Sequence, residues 1–137
     1  MKIERTKLTS AHVSQFEKCQ SQVDGLYEET SQLAKKSPND GVNKFKLKFI
    51  NQTLDLCNGL LGDQYKPFSG FTIFSEEGLP TTSDVVLMLA QYAIALEAFR
   101  GDNISYVQND WQWVVSDGLV FTTTTPTNKV ARRRDKK

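Results

Sequence analysis

Lys44-Phe45-Lys46-Leu47-Lys48-Phe49, running on as INQTLDLCNGLLG through Gly62, decides the fold class. Its first six residues alternate cation and apolar group, as a half-exposed strand does. The continuation breaks that alternation: Leu47, Ile50, Leu54, Cys57 and Leu61 recur at steps of 3, 4, 3 and 4. Phe45, Phe49, Leu56 and Leu60 widen the stripe, and a strand cannot keep a helical period over so many residues. Residues 42–61 are therefore read as a helix that ends near Gly62. Its polar face carries Lys44, Lys46 and Lys48, cations that suit a solvated surface and could also meet phosphates or an acidic partner.

Upstream, Val13, Phe16, Val23, Leu26, Tyr27, Leu33 and Ala34 recur at helical steps. A first helix over residues 10–36 follows, capped by Thr9 or Ser10 and stopped at Ser37-Pro38-Asn39-Asp40-Gly41. Gly25 inside it costs about 1 kcal/mol relative to alanine. Downstream, Tyr65, Phe68, Phe71, Ile73, Phe74 and Leu79 are interrupted by Pro67, Gly70, Gly78 and Pro80. So apolar a connection should lie over the helices, with 71–74 extended. Thr81-Thr82-Ser83-Asp84 then opens a third helix with capping side chains and an early acid. From Val85 to Phe99 that helix is apolar on nearly every side, as an element surrounded by others or lying at an oligomer interface would be, and Gly101 is its expected C′ residue.

After a short turn at 104–108, Trp111 to Thr123 places aromatic and β-branched residues around Asp117-Gly118, a hairpin signal with strands at 111–115 and 119–124. The competing reading is a helix over 104–115 through Ile104, Val107, Trp111 and Val114. The fold class expected is mainly α: a three-helix bundle with a small C-terminal β-hairpin and a basic disordered tail. Residues 1–125 form one domain and 126–137 the tail.

The formal charge of +1 hides an asymmetry. The tail holds six cations (Lys129, Arg132, Arg133, Arg134, Lys136, Lys137) and one anion, leaving eleven cations and fifteen anions before it. Such a tail can touch nucleic acid or another acidic surface in a salt-sensitive, non-specific way. From Glu76 to Asp117, seven carboxylates face one cation, Arg100, and Glu97 three residues before it forms a surface pair. The amino-terminal MKIERTK is polar, with no secretory leader pattern, and Val85–Leu96 is only about a dozen residues against ~20 for a bilayer span. The expected location is cytoplasmic, with no membrane partner.

His12 is the single histidine, placed in the first turn of a helix, a poor position for a catalytic base. Cys19 and Cys57 lie far apart in sequence on apolar helix faces and read as packed thiols. No zinc spacing or phosphate-binding glycine loop is present, so no metal, no cofactor and no catalysis are expected. A small enzyme would need a cleft built from residues such as Tyr65, Tyr92, Glu97 and Arg100. The expected function is an interaction or accessory module that self-associates through its apolar helix or holds a protein partner. Its candidate partner-binding residues are Phe68, Phe71, Phe74, Tyr92, Trp111 and Trp113, aromatics that either form a ledge or cover a small core. The alternative is a nucleic-acid-associated regulator using the tail.

Overall fold

The computed structural model describes residues 8–116 and 118–121. Three helices, α1 (Ser10–Lys36), α2 (Lys44–Tyr65) and α3 (Thr82–Asp102), precede three strands, β1 (Ile104–Val107), β2 (Asp110–Val115) and β3 (Gly118–Phe121). The fold is mainly α with a small antiparallel sheet. The tail, and with it Lys129, Arg132, Arg133, Arg134, Lys136 and Lys137, lies outside the described residues.

Each helix starts on a side chain that satisfies its free N–H groups. Thr9 caps α1, and the ring of His12 closes the box by accepting from the Thr9 backbone N–H at 3.0 Å. Thr81 and Asp84 form the same reciprocal box on α3. Asn43 caps α2 by accepting from Lys46 N–H at 2.8 Å. Gly62 sits at φ +67, a left-handed conformation that glycine adopts without steric penalty, and kinks α2 there. Helical backbone resumes to Tyr65, three residues past the expected end, which carries the Tyr65 ring onto Phe99 (5.3 Å) and its hydroxyl onto Asp102 (2.6 Å).

The α1–α2 turn is stapled to the start of α3. Val42 N–H donates to Pro80 O (2.8 Å), Thr82 N–H to Asp40 O (2.9 Å), and the Thr82 hydroxyl to Ser37 O (2.7 Å). This fixes which side of the α1–α2 pair receives α3. Val85, Leu89, Tyr92, Leu96 and Phe99 then enter the core among Val13, Phe16, Val23, Leu47, Ile50 and Leu54. By length and composition alone α3 would also suffice to cross a bilayer, contrary to the shorter uncharged run counted in the sequence. In the fold it is packed along α1 and α2.

The sheet differs from expectation by one strand. Where a turn was read at 104–108, Ile104–Val107 pairs with Asp110–Val115 in the register Ile104↔Trp113 and Tyr106↔Trp111. A two-residue turn joins them with Gln108 and Asn109 both at positive φ (54 and 66), the geometry of the primed hairpin turns. Asparagine tolerates this conformation but glutamine is no turn signal, which is why the strand was missed. The helical alternative for 104–115 is thereby overturned. The hairpin expected around Asp117-Gly118 is present as β2–β3, and it does not pair with 71–74. Gly101 is also not the C′ residue: the helix continues through Asp102, and Asn103 ends it by donating from its side chain to Phe99 O at 2.8 Å.

Trp113 locks sheet to bundle. It is 1% exposed, edge-on to Phe16 at 5.0 Å and tilted against Phe99 at 6.4 Å. Trp111 lies farther along the same strand and packs on Tyr106 at 5.5 Å, half-buried. Truncating Trp113 to alanine should therefore destabilise the chain by about 3–5 kcal/mol in urea titration. Trp111→Ala should cost only about 0.5–1.5 kcal/mol beyond its smaller lost area. Equal losses at the two positions would contradict this placement.

Candidate functional site

The six aromatics singled out from sequence separate into three groups. Tyr92 and Trp113 are core residues, 0% and 1% exposed, and offer no surface to a partner. Their burial corrects their assignment as contact residues. Phe71 and Phe74 belong to the connection 66–80, which lies over the helices as expected but not as a strand. Their rings meet at 5.0 Å, and Phe71 reaches Tyr92 at 6.4 Å. Only Phe68 is exposed and Trp111 half-exposed.

Two asparagines that sequence reasoning passed over hold this connection in place. The Asn51 side chain donates to Phe74 O (2.9 Å) and accepts from Phe74 N–H (3.0 Å), replacing the pairing a strand would have supplied. Two turns along α2, Asn58 donates to Thr72 O (2.9 Å) and accepts from the Tyr92 hydroxyl (2.6 Å). The available signal was their seven-residue spacing on the flank of an otherwise apolar stripe. Burial, partly offset by the bond to Asn58, raises the Tyr92 phenol above its usual value.

The residues that would have lined an enzyme cleft are spent on structure. Arg100 and Glu97 form a two-point ion pair, at 3.1 and 3.2 Å, with the Arg100 side chain buried. Tyr65 is held by Asp102, and His12 is part of the α1 cap. Among the described residues no group of His, Cys, Asp and Glu gathers as metal ligands. Cys19 and Cys57, distant in sequence, meet across the α1–α2 interface as free, buried thiols. The neighbouring Cys19 thiol and burial push the Cys57 thiol well up.

Besides Phe68, Ile73 and Leu79 on the connection and Tyr106 on β1, the described residues leave two helix faces open. On α3, Leu87 and Ile94, two turns apart, are 58% and 63% exposed. At about 100° per residue, Ala90, Gln91 and Ala98 fall on the same side, making an outer stripe uncharged from Leu87 to Ile94, with Asp84 at its N-terminal edge. On α2, Phe45 is 73% exposed and packs edge-on against Phe49 at 5.1 Å, while Lys48 Nζ lies 5.7 Å from the Phe49 ring centre. Lys44, Lys46 and Lys48 are all exposed.

Comparison with known protein families, curated proteins and solved structures finds no match to this chain.

Two measurements check these interiors. Because the folded Tyr92 phenol titrates above its unfolded value of about 10, its contribution is complete below that pH and declines as pH rises beyond it, when only the unfolded chain ionises freely. Tyr92→Phe should accordingly flatten the loss of stability above about pH 10, at a cost of about 1 kcal/mol at pH 7 from the lost hydrogen bond. An unchanged alkaline limb would count against it. A thiol-specific disulfide reagent should modify Cys19 and Cys57 no faster than the chain unfolds; immediate reaction of either would contradict their burial.

Proposed function

We propose that this protein is a non-catalytic, cytoplasmic interaction module that pairs with a second copy of itself through the outer face of α3, without membrane contact. The observation that carries the reading is the uncharged stripe centred on Leu87 and Ile94. These two large aliphatic side chains stand in water on the most apolar helix of the chain, and such patches on monomers commonly mark association surfaces. The stripe is self-complementary. Two α3 helices packed antiparallel about a two-fold axis near Ala90 and Gln91 would set Leu87 against Ile94 of the partner subunit, with Ala90 and Ala98 allowing close approach. An isologous pairing of this kind needs no further chemistry from the chain.

Sedimentation equilibrium over a wide concentration range tests the proposal. The wild-type chain should show a dimer mass that persists in high salt, since the stripe is uncharged. The double variant Leu87→Asp/Ile94→Asp should sediment as a folded monomer, its circular dichroism unchanged, because both side chains point outward. A wild-type chain that is monomeric at every concentration, or a dimer that survives the double substitution, would refute it.

A further inference from the structure

A second open surface has a different chemistry. Between α1 and α2 runs a furrow of about 610 Å³ with no α3 residue on its lining. Leu26, Phe49 and Leu56 give it an apolar floor, and Lys18 stands on its α1 wall. Gly25 contributes no side chain there, and a Cβ built on it meets nothing within 4 Å. The Thr53 hydroxyl donates to Gln22 Oε1 at 3.0 Å, tying the two helices together. At the turn end, a smaller recess of about 240 Å³ has Leu33 on its wall and carries Lys36 and Lys46.

The charge around this surface is predominantly positive. The described residues hold eight cations and thirteen anions, yet five of those cations (Lys35, Lys36, Lys44, Lys46, Lys48) fall within residues 35–48, against the single anion Asp40. Of the acids of α1, Glu17, Asp24 and Glu28 fall on another flank of the helix, by about 100° per residue, while Glu29 stands on the furrow side, one turn beyond Gly25. A net-negative body thus presents one furrow with an apolar floor and lysines at both ends.

We propose that this furrow receives an acidic amphipathic helix of another protein. The apolar face of that helix lies on Leu26, Phe49 and Leu56, and its carboxylates meet Lys18, Lys48 and the lysines of the turn. Helix-in-groove recognition needs an apolar trough between two ridges and a charge match at the rim, and both are present here. From Lys18 to Lys36 the α1 wall is about 27 Å long, room for a helix of about eighteen residues. A nucleic-acid strand fits less well. The trough is floored mainly by aliphatic groups, and the acidic remainder of the chain would repel an extended polyphosphate. The surface is separate from the α3 stripe, so the two can be tested apart.

The probe is a fluorescein-labelled peptide of about eighteen residues with leucines on one helical face and glutamates on the other. It is titrated against the full chain and against the Leu87→Asp/Ile94→Asp variant, so that loss of self-pairing and loss of peptide binding are read independently. Saturable binding to both is expected, weakened at least about tenfold by Lys18→Glu/Lys48→Glu and by a rise in salt from about 50 to 200 mM. Gly25→Leu fills open space with a better helix former, so it should leave the melting temperature unchanged or higher while also weakening the peptide at least about tenfold. The same peptide with lysine for glutamate should not bind. Absence of binding by the acidic peptide, or binding indifferent to both sets of variants, overturns the proposal. So does preferential binding of oligothymidylate or of phosphatidylserine vesicles at these residues.

Discussion

A helix with no polar side cannot choose its own orientation, and α3 is such a helix. Val85, Leu89, Tyr92, Leu96 and Phe99 are buried while Leu87 and Ile94, almost as apolar, stand outside. Hydrophobicity alone would not say which face turns inward. The choice comes from the ends. At the N-terminus the hydrogen bonds from Thr82 and Ser83 to the α1–α2 turn fix the azimuth. At the C-terminus Asn103 donates to Phe99 O and Val114 N–H bonds back to Asn103 O, holding the sheet where Trp113 packs against the stacked rings of Phe16 and Phe99. Polar contacts at the two ends thus set the register of an apolar middle, a division suited to directional bonds and non-directional burial.

How far the sequence revealed this depends on the kind of force. Periodic apolar residues located all three helices, α1 to its observed limits, because burial along a helix repeats every turn and leaves a pattern. Hydrogen bonds made once leave none. The pinning of 66–80 by Asn51 and Asn58 could not be read, since each asparagine finds a backbone partner more than a dozen residues away. The first strand was hidden for a related reason: its turn places a glutamine at positive φ, against that residue's preference, while the glycine-bearing turn next to it was legible. For the candidate site, the aromatic residues were found but their depth was not. Trp111 and Trp113 share a strand face and differ only in where that strand crosses the bundle.

Several of the polar and reactive groups among the described residues serve the fold. Its histidine caps a helix, its thiols fill an interhelical seam, and its Arg100–Glu97 pair closes the end of α3. Among the described residues, two outward helix surfaces stand out, an aliphatic stripe and a lysine-rimmed furrow. The first suits an identical partner, because a neutral stripe meets its own copy without like-charge repulsion. The second suits an unlike one, because lysines repel their copies and attract carboxylates. A small bundle with these two faces could join itself and a second protein at the same time.

The most direct test of the central claim, that the outer stripe of α3 is the seam between two copies, is intermolecular cross-linking at its centre. With Cys19 and Cys57 buried, Ala90→Cys would place one accessible thiol near the two-fold axis, and Ser21→Cys on the exposed side of α1 serves as control. Under mild oxidation at equal concentration, Ala90→Cys is predicted to give a covalent dimer rapidly and Ser21→Cys to remain monomeric. A chain in which the two form dimers equally slowly would contradict the seam and leave α3 as a core helix only.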